Sequence, residues 1–263
     1  MNIVVLVKQV PDTETKIKIG ADGKSIETSE IKWVMNPYDE YAVEAALRLQ
    51  DSVGASVTIL SMGPERTVES IRTALAMGAD TGVLVDDPAT EGSDGLGKAK
   101  VLAAALKSLE FDLVFCGHRA VDSDENQVGI MVAELAGIPH LGLAVSAEVT
   151  DGTVKVQRPI EGAKVTMEAT LPALVTFGGA HAVWNPRYAS LPGIMKAKKK
   201  PLETKTLADL GLSADEVGAQ AAKVSVTAME MPQERQPGRK LEGDTVEKAK
   251  ELTRLLHEEA KVI

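Results

Sequence analysis

Over the first 140 residues, short apolar or β-branched runs alternate with stretches whose apolar positions recur at helical spacing. The runs at 3–7, 56–61, 82–86 and 113–117 end in polar or glycine residues and predict strands buried on both faces. Between them lie patterns of period 3.6. In 38–50, Ala42, Ala45, Ala46 and Leu49 share one face, with Asn36 as the expected N-cap and Pro37 at the first helical position. Residues 67–77, 98–109 and 127–136 predict three more helices. Strands alternating with helices of this length imply βαβ units, hence an α/β fold with a doubly wound, mostly parallel sheet.

From Leu143 the pattern changes. Residues 145–150, 153–158, 164–170 and 173–177 read as consecutive strands, with Asp151-Gly152 and Glu161-Gly162 between them. Asp-Gly between alternating segments marks a hairpin, so these strands are expected to form an antiparallel extension of the same sheet. Gly178-Gly179 reads as a hinge. Beyond Pro201 come a short helix at 206–210, a strand at 223–229, a polar Pro/Gly-rich stretch at 232–243 and a helix at 245–257. The apolar periodicity there is too sparse for a second core, so this tail is expected to wrap on a partner; a frayed terminus is the plain alternative. The chain thus divides into an α/β nucleotide-binding domain (1–184), a recognition loop (185–200) and a C-terminal extension (201–263).

Residues 185–200 concentrate positive charge in a chain of net charge −9: Lys196, Lys198, Lys199 and Lys200 follow an apolar set, Leu191, Ile194 and Met195, interrupted by Pro192-Gly193. A flexible loop with an apolar anchor beside a basic cluster is suited to contact a partner; a solvated charge run is the bland alternative. The acidic balance and an aromatic content of 3% argue against nucleic acid as the main ligand. One cysteine, Cys116, leaves no intramolecular disulfide, and His118, His140, His181 and His257 lack metal-ligand spacing, so no metal site is expected. No apolar run reaches membrane-spanning length, so no membrane insertion is expected. With a strand beginning almost at Met1, the expected location is the cytoplasm.

Residues 92–98 match the phosphate-loop spacing Gly-x-x-x-x-Gly-Lys, yet Ala99 follows where a hydroxyl for Mg²⁺ is required, and Asp86, Asp87, Glu91 and Asp94 crowd the segment with negative charge. It reads as a surface loop. In an open α/β sheet, ligands bind beyond the carboxyl ends of the strands. Those ends are Lys8-Gln9, Met62-Gly63 and Gly117-His118-Arg119, joined by helix starts at Asn36-Pro37 and at Asp124-Glu125-Asn126-Gln127. Helix N-termini attract anions, Asn126 and Gln127 add donors, and Gly129 permits close approach. The neighbouring acids oppose a phosphate, and cap the helix or hold a ribose hydroxyl instead. A mononucleotide crevice is the resulting expectation. No catalytic constellation emerges, and a chain that binds without reactive side chains suits carrying or shaping a cofactor.

Several blocks resemble the β subunit of electron-transfer flavoproteins over nearly the whole chain. They are Val7-Lys-Gln-Val-Pro-Asp12, Met35-Asn-Pro-Tyr38 with Ala42-Val-Glu44, Thr73-Ala-Leu-Ala-Met-Gly-Ala-Asp80, Asp124-Glu-Asn-Gln-Val-Gly129, Val156-Gln-Arg158 through Leu171-Pro-Ala173, and Asn185-Pro-Arg-Tyr188 through Lys200. The resemblance implies the adenine-nucleotide-binding fold shared with stress proteins and a heterodimer with a larger α subunit. It implies FAD held mainly by that subunit near the interface, with Tyr38 facing the flavin. It places a structural AMP against Val7, Met62, Asn126, Gln127 and Val128; Lys8, Asn36, Gly117, Asp124 and Gly129 complete the expected cofactor-binding set. It further implies electrons received from acyl-CoA or related flavin dehydrogenases, as in fatty acid oxidation, and passed to a quinone oxidoreductase, with Leu191 as anchor and the lysines as a steering collar. Two departures open alternatives. Val128 stands where many members have threonine, and Gln127-Val128-Gly129 also occurs in the electron-bifurcating branch, which holds a second FAD in place of AMP and oxidises NADH. Asn126 and Asn36-Pro37-Tyr38 are more similar to the AMP-binding branch. A stand-alone nucleotide-binding module of stress-protein type is the remaining alternative.

Overall fold

The computed structural model describes residues 1–178, 182–233 and 237–263; Gly179 of the expected hinge and three positions of the 232–243 stretch lie outside them. Seven strands form one parallel sheet in the order β12-β5-β4-β1-β6-β11-β7. These are β1 Asn2–Leu6, β4 Ser56–Met62, β5 Thr81–Val85, β6 Leu113–Gly117, β7 His140–Ala144, β11 Ala173–Phe177 and β12 Leu202–Lys205. Helices α1 Pro37–Val53, α2 Val68–Met77 and α5 Leu191–Ala197 cover one face, and α3 Gly95–Lys107 with α4 Val128–Ala136 the other.

The two-residue period of a strand divides the core. Ile3, Val5 and Val7 join Val57, Ile59, Leu113, Phe115, Val175 and Phe177 under α1 and α2. Val4 and Leu6 join Leu60, Val83, Val114 and Leu174 under α3 and α4. Fully buried runs of this kind are the signature of a parallel sheet sandwiched between helices. The chain proceeds from β1 outward to β4 and β5, then returns to β6 on the other flank of β1. That reversal opens a crevice between the carboxyl ends of β1 and β6.

Four expectations need correction. The strands β8 Ser146–Thr150, β9 Thr153–Ile160 and β10 Ala163–Thr170 are antiparallel as expected, but they make their own three-stranded sheet. Its inner residues Val154 and Val156 pack on the first core. Residues 173–177, grouped with them in sequence, enter the main sheet in parallel register between β6 and β7. Their continuous burial distinguishes them from the alternating β9. Residues 206–210 supply only a 3₁₀ turn, Ala208–Leu210, which follows the unanticipated edge strand β12. Residues 223–229 are exposed and form no strand; Met229 N–H donates to Gly23 O at 2.8 Å.

Two short strands, β2 Gln9–Pro11 and β3 Trp33–Met35, pair beside the main sheet. The tail carries the one-turn helix α6 Gly218–Ala221 and the helix α7 Thr245–Glu258. Asp244 caps α7, accepting from Val246 and Glu247 N–H, yet none of its residues is buried. No helix among the described residues is long and apolar enough to cross a membrane.

Candidate functional site

A cavity of about 620 Å³ opens at the crevice between β1 and β6, a size typical of small-molecule and cofactor sites. It brings together Val7, Lys8, Asn36, Met62, Gly117, Asn126, Gln127, Val128 and Gly129, nine positions singled out from the sequence. Tyr38 and Asp124 do not line it. They brace its rim: Arg119 Nη2 donates to Tyr38 Oη at 3.0 Å and Nη1 to Asp124 Oδ2 at 3.0 Å, while the Tyr38 and His118 rings meet edge to face at 4.5 Å.

The loop from Gly117 to Gln127 takes its shape from side chains reaching across the crevice. Asn36 is buried and does not cap α1 with its side chain. Its Nδ2 donates to Arg119 O at 2.9 Å and its Oδ1 accepts from Val121 N–H at 3.2 Å. Lys8 Nζ pairs with Asp122 at 2.7 Å. Asp124 and Asn126 adopt φ of 55° and 50°, a left-handed conformation these two residue types tolerate. The turn delivers Val128 and Gly129 to the start of α4, which has no side-chain cap, so its first N–H groups open on the cavity. Gly129 packs against β6, where an added Cβ would stand 2.8 Å from Cys116 Sγ. Burial pushes the Cys116 thiol far up, which leaves it an unreactive core group.

Asp39, Arg66 and Lys98 are among the lining residues that sequence reasoning did not assign to the site. Asp39, in the first turn of α1, is buried, and accepts from Lys8 N–H at 2.8 Å and Gly117 N–H at 2.9 Å. It thereby ties the ends of β1 and β6 together at the reversal point. Desolvation raises its carboxyl to about 7 against these backbone hydrogen bonds, the Asn36 side chain and the Lys8 charge, which favour the anion. Arg66 lies with its guanidinium 3.9 Å from the centre of the Trp33 ring. Lys98 belongs to the segment read as a surface loop, yet its side chain lines the cavity. Only Asp39 gave a signal, as an acid in a first helical turn. Arg66 and Lys98 are placed by tertiary packing.

The expected partner-binding loop, 185–200, carries the short helix α5 at Leu191–Ala197. Ser190 Oγ accepts from Gly193 N–H at 3.1 Å to start α5, and Gly193 rests on Ala76 O where a Cβ would not fit. Leu191 is 80% exposed, Met195 65% and Ile194 43%, so the apolar set stands outward on a rigid support. Lys196, Lys198 and Lys199 flank it. Lys200 does not: its Nζ donates to Leu75 O, Gly78 O and Ala79 O, closing the end of α2. Among the described residues there is no group of three or more His, Cys, Asp or Glu placed to hold a metal.

Residues 24–210 match the family model described as "Electron transfer flavoprotein domain". The chain is 41% identical over 264 residues to the electron transfer flavoprotein subunit beta of Bacillus subtilis, each chain covered in full. It is 39% identical over 265 residues to the subunit of that name from Bradyrhizobium diazoefficiens, again covering 100% of both. With the mouse subunit it shares 40% over 261 residues, 97% of this chain and 99% of the relative.

Proposed function

The chain belongs to the electron transfer flavoprotein family as a β subunit, and from this premise we propose that it is the nucleotide-holding half of a heterodimeric electron carrier. Its partner is an α subunit that holds FAD near the shared interface, and AMP occupies the cavity as a structural nucleotide. The observation that carries the reading is a nucleotide-sized cavity at the reversal point of the sheet, free of any reactive constellation, in a chain that matches β subunits end to end. The residues present fit an adenine nucleotide: apolar Leu6, Val7 and Leu102 offer a wall for a base, and the uncapped start of α4 offers N–H groups to a phosphate.

Flavin supplies the redox chemistry when bound. This chain's residues shape the sites around it. Asp39, Asn36 and Lys8 hold the β1 and β6 ends and the 117–127 loop, and a bound nucleotide stabilises that arrangement by mass action. Electrons come from flavin dehydrogenases, acyl-CoA dehydrogenases foremost, and leave toward a quinone oxidoreductase. The exposed Leu191, Ile194 and Met195, with Lys196, Lys198 and Lys199 around them, form the docking face for those partners.

Co-expression with the cognate α subunit, followed by absorbance and mass spectrometry of the released nucleotides, tests the reading. One FAD and one AMP per heterodimer is the expected result. The roomy cavity, with Gln127, Val128 and Gly129 in its lining, favours one second reading, in which FAD takes the AMP position and the dimer bifurcates electrons from NADH. Two flavins per heterodimer would select it. A chain that is stable alone and never co-purifies with flavin would defeat both, leaving a stress-type module.

A further inference from the structure

Of the cationic groups on the cavity wall, Lys98 is the one left without a partner. Lys8 Nζ is taken by Asp122 at 2.7 Å, and the Arg66 guanidinium is stacked on Trp33. The Lys98 ammonium makes no hydrogen bond or ion pair among the described residues, although Glu125, Asp122 and Asp94 contribute field at longer range. Partial burial and the nearby Lys8 charge hold its ammonium below the ordinary lysine range. A half-buried, unpaired ammonium facing a cavity is costly unless an anion arrives to meet it.

The surrounding segment shows why this residue, rather than the whole phosphate-loop motif, faces the ligand. Gly92 is packed on the C-terminal extension, where a Cβ would stand 2.7 Å from that of Ala219. Gly95 abuts Gln127, whose Nε2 would stand 2.5 Å from a Cβ there. Gly97 N–H is spent on Asp94 Oδ1, and Ser93 Oγ accepts from Gly218 N–H. The loop's glycines and amides serve protein packing, so only the lysine side chain remains for a ligand. The Gly95–Gln127 contact sets the first turn of α3, which carries Lys98, beside the start of α4.

We propose that Lys98 is the phosphate-reading residue of this cavity, pairing with a phosphoryl oxygen and restricting the site to nucleotides over nucleosides. The inference rests on the nucleotide reading above and adds the residue that enforces it. The shared chemistry is a nucleoside phosphate ester, supplied by AMP or by the pyrophosphate of FAD.

The heterodimer, depleted of its second nucleotide but retaining α-subunit flavin, is titrated calorimetrically with AMP, adenosine and FAD. Wild type is expected to prefer AMP over adenosine. Lys98→Gln should lose roughly 10- to 100-fold in AMP affinity, as for a charge-assisted bond, with adenosine binding unchanged, and Lys98→Arg should recover most of the loss. A Lys98-dependent preference for FAD over AMP would keep the inference and make the pyrophosphate its source. Lys98→Gln binding AMP as wild type does, wild type binding adenosine as tightly as AMP, or equal loss of AMP and adenosine in the variant would each overturn it while leaving the nucleotide reading in place. A wild type that takes none of the three ligands would overturn both.

Discussion

Asp39 concentrates the tension of the site in one side chain. Its carboxylate receives two backbone N–H groups, which favour the anion, but burial outweighs them and raises the group from 3.8 to about 7. The folded state therefore binds a proton that the unfolded state has already released between these values, so this group's contribution falls as pH rises through that window and stays lost above about 7. Asp39→Asn cannot titrate and also gives up one acceptor. The stability gap between wild type and the variant, measured by denaturant unfolding, should be wider at about pH 5 than at about pH 8 by on the order of a few kcal/mol. A gap that is constant across that range would show that Asp39 stays ionised in the fold. The lining positions legible in the sequence were those at strand ends and helix starts, such as Lys8, Met62 and Asn126, because βαβ topology alone puts them at one edge. Lys98 was legible only as a motif that failed. Its use depends on how Gly95 meets Gln127, which no local pattern encodes.

At the level of elements, α5 shows how a segment that looks flexible becomes a platform. Pro192 and Gly193 read as breaks, yet proline suits the first turn of a helix, and Gly193 is needed to sit against Ala76. Two clamps hold α5 and its exit to α2. Arg72 Nη1 donates to Ala197 O at 2.5 Å and Lys200 O at 2.7 Å, and Lys200 Nζ returns three bonds to the carbonyl end of α2. A lysine at a helix C-terminus also meets the negative end of the dipole. Lys200→Met should therefore lower stability by about 1–3 kcal/mol, whereas Lys199→Met should change it by less than about 0.5 kcal/mol; urea unfolding of both variants separates them. Equal effects would mean that Lys200 is another surface charge. Of the four lysines, Lys196, Lys198 and Lys199 then remain for the proposed docking face.

For the whole molecule, the sheet and its two helical layers are complete without the last helix. Val246 and Leu252 of α7, and Val262 and Ile263 beyond it, are exposed, so this amphipathic end contributes surface rather than core. A chain ending at Met231 should lose only the share of the far-ultraviolet helical signal that α7 supplies and melt within a few degrees of wild type, because no residue of α7 is buried. Co-purification with the α subunit should fail for it if the tail wraps on that partner; retained heterodimer would refute the wrapping. The docking face is tested separately. Leu191→Ala should slow electron transfer from flavin dehydrogenases about tenfold or more, as for a hot-spot anchor, with flavin content unchanged in the absorbance spectrum. Transfer at the wild-type rate would remove Leu191 as the anchor.

The sequence by itself determined the layered α/β class, four of the parallel strands, the helices between them and the edge of the sheet where the cavity opens. Those features follow from periods of two and 3.6 residues and from chain order, which are local properties. Only the tertiary structure decided that residues 173–177 enter between β6 and β7, that 202–205 pair with β5, and that Lys98 joins the cavity while Lys200 turns to the carbonyl end of α2. Each of those outcomes depends on which distant backbone edge, carbonyl or void a segment meets. An apolar run has the same sequence whether it pairs antiparallel with its neighbour or slots between two strands far away. A lysine is likewise the same residue facing solvent, a helix end or an anion site.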